Sequence, residues 1–302
     1  MKYNRTLVTG GSGLIGSTIP TKFNPRSSEL DLMNFKSICD YITTNNIDSI
    51  IHCAAKVGGI KANSENLGEF FYDNIIMNTN VLEAARVCGV KKVVSFMSTC
   101  VFPSHASYPL TTEQIHLGEP HPTNYGYAYA KRMLEVQSRA YRQQYGCNFV
   151  TVIPCNVYGP RDNYNLDSSH VIPALIHKCY MAKQNDTTFD VWGTGTAYRE
   201  FLYSEDVGSI ITWVMDNYDE SEPLIISPDD EICIATIAQI VASKIDFWGS
   251  IVYNGEMDGI KRKPSDNSKL KSLMTDVTFT SIEDGLEKSI NWFIENYKDC
   301  RK

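Results

Sequence analysis

Short runs of β-branched and apolar residues alternate with longer segments of helical periodicity through the first half of the chain. The runs are predicted to be buried parallel strands and cover Thr6–Thr9, Ser49–Cys53, Val93–Ser98 and Phe149–Pro154. The spacing of apolar residues between them predicts helices at Glu69–Val87 and at about Gly126–Tyr145. This alternation predicts an α/β fold with a doubly wound parallel sheet and helices on both of its faces.

After about Pro160 the alternation becomes irregular, beginning with the turn-rich segment Asp162–Ser169. Further helices are predicted near Val171–Lys183, Ser204–Tyr218, Ala235–Lys244 and Ile282–Lys298. A length of 302 residues fits two domains at roughly 150 residues each. We therefore predict a nucleotide-binding domain at 1–165 and a smaller, mixed α/β substrate domain at 166–302. A segment near 204–227 is expected to return to the first domain.

A glycine-rich turn directly follows the first predicted strand. It consists of Gly10, Gly11, Ser12, Gly13, Leu14, Ile15 and Gly16, and contains both G-x-x-G-x-x-G and G-x-G-x-x-G. Without side chains the backbone can approach a pyrophosphate closely, and the start of a helix adds N–H donors. A tight turn without a ligand is the alternative, but the position after an N-terminal strand favours a Rossmann-type dinucleotide site.

The segment after this turn is too short for the usual unit. Only some dozen residues separate Gly16 from Ser28, and Pro20 stops any helix that begins near Leu14. A full helix, a loop and a second strand do not fit in this space. We therefore predict that the adenosine end of the site is abbreviated.

Composition excludes several functional classes. The net charge of −7 disfavours a nucleic-acid partner, and no apolar stretch approaches the length of a membrane span. The N-terminus is too Gly-rich for a signal peptide. Nine cysteines without a C-x-x-C pair and six scattered histidines indicate neither a disulfide framework nor a metal site. We expect a reduced, cytoplasmic protein without a metal.

Three further side chains form a pattern that suits proton transfer. Ser98 ends the third predicted strand, and Tyr127 and Lys131 lie four residues apart on one face of the following helix. The ammonium of Lys131 is expected to lower the pKa of the Tyr127 phenol. A solvated helix pair is the simpler interpretation of Y-x-x-x-K alone. The glycine turn and the strand-end serine favour catalysis instead.

The sequence resembles the extended short-chain dehydrogenase/reductases through the glycine turn, His52–Ala55, Ser98 and the Tyr127/Lys131 pair. Within that family it is similar to the enzymes that make GDP-L-fucose from GDP-4-keto-6-deoxy-D-mannose. The discriminating segments, which extend over nearly the whole chain, are Ala55–Ile60, Ser98–Pro103, Pro154–Pro160, Ser169–Pro173 and Val191–Gly195.

This resemblance implies a two-step reaction: epimerisation at C3 and C5, followed by reduction of C4 with NADPH. It implies that Cys100 is the base and His170 the acid of epimerisation, with the pKa of Cys100 lowered by cationic neighbours. Tyr127 would donate the proton to the C4 oxygen and Ser98 would hydrogen-bond it. A buried structural cysteine and a packing histidine are the alternatives for Cys100 and His170.

The resemblance also implies binding residues. The cofactor NADP(H) would contact the glycine turn, Lys131, Pro154, Cys155, Asn156, Val157 and His170, and the GDP-sugar would contact Lys178, Trp192, Arg199 and Asp266. Arg26 is the only basic residue in Asn24–Leu32 and is predicted to contact the 2′-phosphate. Glu29 and Asp31 would suit an unphosphorylated ribose instead.

Family members are commonly homodimers, here through the helices Glu69–Val87 and Gly126–Tyr145. Two alternatives to the fucose outcome are a related sugar-nucleotide reductase or epimerase, and a catalytically silent nucleotide-sensing protein on the same fold. A reductase without epimerase activity would not need both Cys100 and His170. A sensor would have no use for these two residues together with Ser98, Tyr127 and Lys131.

Overall fold

The computed structural model describes residues 3–255 and 260–302. Its strands are β1 (Thr6–Thr9), β2 (Ser49–His52), β3 (Lys92–Phe96), β4 (Asn148–Pro154), β5 (Asn156–Tyr158), β6 (Phe189–Val191), β7 (Tyr198–Arg199), β8 (Phe201–Tyr203), β9 (Leu224–Ile226), β10 (Ile232–Cys233) and β11 (Ile251–Tyr253). Its α-helices are α1 (Phe35–Thr44), α2 (Ile60–Glu65), α3 (Leu67–Val87), α4 (Tyr125–Tyr145), α5 (Val171–Asn185), α6 (Ser204–Asn217), α7 (Ile234–Lys244), α8 (Ser268–Leu273) and α9 (Ile282–Glu295). Single 3₁₀ turns occur at Gly16–Thr18, Thr99–Val101 and Thr112–Gln114.

A five-stranded parallel sheet in the order β1-β2-β3-β4-β9 forms the centre of the first half. Neighbouring strand residues face opposite sides and are both buried, as Leu7 and Val8 show. Leu7 belongs to the apolar core that includes Ile38 of α1 and Leu134 of α4, whereas Val8 belongs to the core that includes Ile210 of α6. Burial on both faces explains why these strands are continuous apolar runs rather than alternating ones. The predicted Rossmann-type α/β fold is confirmed.

The first crossover of the sheet is shortened, as the spacing after Gly16 predicts. Where a first helix would begin there is only the 3₁₀ turn Gly16–Thr18. The strand that would follow this helix is reduced to one bridge, in which Phe23 pairs with Leu7. The Phe23 carbonyl accepts the Val8 N–H at 2.8 Å. The helical segment that begins near Leu14 is therefore limited to this single turn before Pro20.

The second half contains a separate apolar core under small two-stranded sheets. The sheet pairs are β10–β7, β11–β6 and β5–β8. Their core includes Phe189, Ile237 of α7 and Phe293 of α9, all fully buried. From this half, α6 and β9 return to the central sheet, where β9 pairs with β4. The boundary at 165/166 stays a prediction.

The ends of the elements differ from the sequence expectations by a few residues. The third strand ends at Phe96, so Ser98 lies two residues beyond it as the N-cap of the turn Thr99–Val101. The helices predicted from Glu69 and Gly126 begin slightly earlier, at Leu67 and Tyr125. These shifts leave Ser98 just beyond the carboxyl end of β3 and Tyr127 in the first turn of α4.

Candidate active site

A cavity of about 900 Å³ lies between the carboxyl edge of the central sheet and the second half of the chain. It is lined from both sides by site residues predicted from the sequence: Gly10, Ser12, Gly13, Leu14, Ile15, Gly16, Ser98, Tyr127, Pro154, Cys155, Asn156, Val157, His170, Lys178, Trp192 and Arg199. Gly11, Arg26, Cys100, Lys131 and Asp266 are not among its lining residues. The cavity is large enough for a dinucleotide and part of a second ligand.

The glycine turn has the shape of a phosphate cradle. Gly10 has a φ of +68°, and a Cβ there would come within 2.8 Å of the Ala54 backbone nitrogen. Gly13 lines the cavity, and a Cβ there would meet only the Gly10 carbonyl oxygen, at 3.3 Å. The open side of Gly13 is the space that a pyrophosphate needs for close approach to the backbone. The residues present therefore fit a dinucleotide.

Tyr127 and Lys131 lie in the first two turns of α4. Tyr127 lines the cavity, whereas Lys131 does not. Lys131 is 2 % exposed and its Nζ donates to the Phe96 carbonyl oxygen at 2.9 Å. That ammonium lies 6.0 Å from the centre of the Tyr127 ring. Burial lowers the pKa of Lys131 to about 8. The two side chains are brought together, with the ammonium fixed at the end of β3.

The expected effect of Lys131 on Tyr127 is wrong for this structure. Burial raises the pKa of Tyr127 well above its usual value, and the nearby Cys100 thiol raises it further. The ammonium of Lys131 donates to a backbone carbonyl rather than to the phenol. Tyr127 is therefore protonated at neutral pH, which suits a donor of a proton to a developing alkoxide.

A buried hydrogen-bond network fixes the start of α4 against the sheet. The Asn78 amide donates to the Ala130 carbonyl at 3.1 Å, so its oxygen faces His52 Nε2 at 2.9 Å. Nε2 therefore carries the proton, and His52 Nδ1 accepts from the Thr9 hydroxyl at 2.8 Å. Burial lowers the pKa of His52 to about 3, which keeps the ring neutral. This network was not predicted from the sequence, where His52 was only part of a family segment.

Cys100 lies in the 3₁₀ turn after Ser98 and is partly exposed. The Cys100 N–H donates to the Ser98 hydroxyl oxygen at 3.4 Å. Burial raises the pKa of the Cys100 thiol, while the Ser98 hydroxyl, Lys263 and Lys131 act in the opposite direction. The expectation that cations lower the pKa below its usual value is wrong. They offset only part of the effect of burial.

His170 is the N-cap residue of α5 and lines the cavity opposite the sheet. Burial lowers the pKa of its imidazole, and the charge of Arg301 lowers it further. The ring is therefore neutral at pH 7. His170 therefore lines the cavity from the start of α5, whereas Ser98 and Tyr127 line it from the turn after β3 and the start of α4.

Three of the four predicted sugar-nucleotide residues gather at one end of the cavity. The Lys178 ammonium lies 4.1 Å above the centre of the Trp192 ring, which is 47 % exposed. Arg199 follows on β7, with its guanidinium bonded to the Tyr198 carbonyl at 2.6 Å. Asp266 is not brought there: its carboxylate accepts the Ser268 N–H at 2.9 Å, outside the cavity.

Arg26 lies outside the cavity wall. It is exposed, and its backbone N–H donates to the Glu29 carboxylate at 2.8 Å. Its neighbours Pro25 and Ser27 line the cavity, as does Asp31. The contact with a 2′-phosphate stays a prediction that requires movement of an exposed side chain.

Several site residues were missed by sequence reasoning. Asp162 lines the cavity, is 4 % exposed, and has a pKa raised by burial to about 7. Arg301 reaches the cavity from the far end of the chain, and Lys263 approaches Cys100 from the second half. The only available signal for Asp162 was its position in the turn after β5. Nothing in the sequence spacing pointed to Arg301.

Among the described residues, no cluster of His, Cys, Asp or Glu side chains could hold a metal ion. No helix within the same residues has the length and apolar character needed to cross a membrane.

Comparison with known proteins supports a single family. The profile of the NAD dependent epimerase/dehydratase family matches residues 6–227. A GDP-L-fucose synthase of Dictyostelium discoideum is 44% identical over 310 aligned positions, covering 98% of this chain and 97% of the relative. A probable GDP-L-fucose synthase of Drosophila melanogaster is 40% identical, covering 99% of both. The crystal structure of a GDP-L-fucose synthetase from Naegleria fowleri bound to NADP is 37% identical, with a TM-score of 0.93 over 99% of this chain and 96% of that one.

Proposed function

The chain belongs to the NAD dependent epimerase/dehydratase family and, within it, to the GDP-L-fucose synthases, and on that premise we propose how its cavity works. It epimerises GDP-4-keto-6-deoxy-D-mannose at C3 and C5 and reduces C4 to give GDP-L-fucose. The cofactor is NADP(H), which supplies the hydride that reduces C4. The gathering of Ser98, Tyr127 and His170 with the glycine turn around one cavity is the observation that carries this proposal.

The glycine turn holds the pyrophosphate of the cofactor, because Gly13 leaves its backbone open to the cavity. Pro154–Val157 line the opposite wall of the nicotinamide region. The Asn156 amide donates to the Glu200 carbonyl at 2.8 Å, which fixes this wall to the second half of the chain. Lys131 uses one of its three ammonium N–H groups on the Phe96 carbonyl oxygen and would hold the ribose next to the nicotinamide with another.

Epimerisation uses the acidity of the protons on C3 and C5, since the C4 ketone accepts the electrons of each broken C–H bond. Cys100 removes a proton from one face of the sugar as the thiolate. His170, at the start of α5, takes up a proton from solvent and returns it from the opposite face as the imidazolium. Solvent removes the proton from the Cys100 thiol before the next carbon reacts. The pair inverts both carbons in turn.

Reduction of C4 needs a proton on the new alkoxide. Tyr127 supplies it, since burial keeps the phenol protonated at neutral pH. The Ser98 hydroxyl hydrogen-bonds the same oxygen. Arg199 and Lys178 hold the diphosphate of the sugar nucleotide, and Trp192 supports its base.

The direct test is a mixture of the protein, NADPH and GDP-4-keto-6-deoxy-D-mannose, followed at the nicotinamide absorbance band. We expect stoichiometric oxidation of NADPH and GDP-L-fucose as the product. Binding of NADPH without its oxidation would instead support a silent nucleotide-sensing protein. Oxidation with a different 6-deoxy sugar as the product would support a related reductase.

The chain is further proposed to form a homodimer through α3 and α4. Their outer faces expose apolar and aromatic side chains at Phe71, Tyr72, Val87, Tyr125 and Tyr145. Light scattering should give twice the chain mass, and Tyr72→Glu should give a monomer. The control Trp248→Glu changes an isolated aromatic that is 88 % exposed and should leave the dimer intact. A monomeric wild type would refute the proposal.

A cytoplasmic location is proposed as well. All nine cysteines lie in the described residues and are free thiols, which fits a reducing compartment. Fractionation of the source cells should recover the activity with cytosolic marker enzymes. Recovery with a secretory compartment would contradict this.

A further inference from the structure

Lys263 brings a positive charge to the epimerisation base from the second half of the chain. Its Nζ donates to the Thr99 carbonyl oxygen at 2.8 Å, one residue before Cys100. The side chain is partly buried. This lysine lies outside the segments that resemble the family, and it has no role in the proposed mechanism.

The backbone directly after Lys263 is held in place by three hydrogen bonds. The Leu110 N–H donates to the Pro264 carbonyl at 2.8 Å, and the Leu110 carbonyl accepts the Asp266 N–H at 2.9 Å. The Ser265 N–H donates to the buried Glu200 carboxylate at 2.9 Å. The ammonium is therefore fixed relative to Cys100, rather than carried on a free surface chain.

Four other groups face Cys100, namely Ser98, Lys131, Arg132 and Tyr127. Lys131 donates to the Phe96 carbonyl, and Arg132 donates to the Val101 carbonyl at 3.1 Å through Nε. Tyr127 is a neutral phenol. Lys263 acts on the Cys100 thiol more strongly than Lys131 does. Burial lowers the pKa of Lys263 and the charge of Arg199 lowers it further, whereas the Cys100 thiol favours the charged form of Lys263.

A role in holding the substrate diphosphate is a poorer fit for Lys263. Arg199 and Lys178 line the cavity, whereas Lys263 does not. Its ammonium instead donates to the Thr99 carbonyl in the turn that carries Cys100. This hydrogen bond ties the cation to the turn of the thiol.

We propose that Lys263 is a positioning residue for epimerisation, which stabilises Cys100 as the thiolate that removes the protons from C3 and C5. This inference rests on the proposed function. In the step itself the thiolate takes a proton from carbon and becomes a thiol, and the electron pair of the broken C–H bond moves into the enolate at the C4 oxygen. Loss of the Lys263 charge leaves less thiolate at any given pH.

Alkylation of Cys100 by iodoacetamide tests the coupling without any sugar. The rate is followed at the Cys100 peptide by mass spectrometry between pH 6 and 10, since only the thiolate reacts. Lys263→Met should move the rising limb to higher pH by about one unit, which slows alkylation at pH 7 about tenfold. Lys263→Arg, which keeps the charge, should stay near the wild type.

The matched control is Lys261→Met, which removes an exposed lysine from the same segment and should leave the profile unchanged. Circular dichroism and NADPH binding verify that each variant is folded. A Lys263→Met profile that coincides with that of the wild type would overturn the inference.

Deuterium exchange at C3 and C5 of the keto-sugar gives the second readout. Lys263→Met should lower kcat for exchange about tenfold at pH 7 and leave KM within a factor of about two. A raised KM with an unmoved pH profile would show a diphosphate ligand and overturn the inference. Absence of exchange in the wild type would overturn the proposed function instead, and the alkylation profiles would still decide whether Lys263 acts on Cys100.

Discussion

The two ends of the cavity are built in different ways. At the end beside β3, Tyr127 and Lys131 are 8 % and 2 % exposed, and Lys131 is bonded to the Phe96 carbonyl. At the end beside the loop after Gly16, Phe23 forms only a single bridge with β1, and Arg26 is exposed. The first end is enclosed by a core, whereas the second is open loop.

This difference predicts where the chemistry is sensitive to substitution. Electrostatic contacts between buried groups are strong, because neither water nor salt screens them. Contacts made by exposed side chains are weak and are screened. Substitutions at the buried end should therefore change rates by orders of magnitude, and those at the open end should only change preference between cofactors.

The largest effect is expected at the buried end. Tyr127→Phe removes the proton donor for the C4 alkoxide and should slow NADPH oxidation by about 10²–10⁴-fold. The thiol of Cys100 and the imidazole of His170 remain, so exchange of deuterium into C3 and C5 should continue. The two rates are measured in the same sample. If exchange were lost together with reduction, the separation of roles would be wrong.

The second substitution removes epimerisation and leaves reduction in place. Cys100→Ser replaces the thiol with a hydroxyl that is far too weakly acidic to act as a base near neutral pH, and should abolish exchange. Slow reduction of the unepimerised ketone should persist and give a 6-deoxy sugar with unaltered C3 and C5. His170→Asn should exchange without complete inversion. Wild-type exchange in Cys100→Ser would mean that another residue is the base.

The buried end also explains what the sequence could and could not predict. The strand runs around Leu7 and Val93 and the glycine turn follow from local periodicity and spacing, so the sheet and its carboxyl edge were predictable. The pKa directions of Tyr127 and Cys100 were not, because they depend on burial, which is set by the packing of distant segments. Neighbouring cations alone therefore predicted lowered pKa values for Tyr127 and Cys100, whereas burial raises both.

Contacts across the two halves were equally inaccessible. Lys263 lies far along the chain from Cys100, and only the tertiary fold brings its ammonium to the Thr99 carbonyl. Asp266 stays a predicted substrate contact, while its carboxylate accepts the Ser268 N–H and it is not among the residues that line the cavity. By contrast, the shortened loop after Gly16 was predictable, since it needs only chain length and Pro20.

An intermediate effect is expected where the sugar nucleotide binds. Arg199 is partly buried in the cavity wall, so Arg199→Ala should weaken binding by about 1.5–3 kcal/mol through loss of a charge-assisted contact. The measurement is KM for the sugar nucleotide. The affinity for NADPH should hardly change, because Arg199 lies outside the glycine-turn half. An unchanged KM for the sugar would refute the diphosphate assignment.

The smallest effect is expected at the open end. Arg26→Ala should reduce the preference for NADPH over NADH by about fivefold or less, since an exposed ion pair contributes at most about 1 kcal/mol. The ratio of kcat/KM for the two cofactors measures this. Lys36→Ala, an exposed lysine on α1, is the control. A ratio that does not change, or equal use of both cofactors by the wild type, would exclude Arg26 as the 2′-phosphate contact.

We propose that one cavity both inverts C3 and C5 and reduces C4. Its most direct test is the reaction of the wild type with NADPH and GDP-4-keto-6-deoxy-D-mannose in deuterated water, with the product analysed by NMR. We expect GDP-L-fucose that carries solvent deuterium at C3 and C5 and hydrogen from the cofactor at C4. A reduced product with protium at C3 and C5 and the original D-configuration would contradict it.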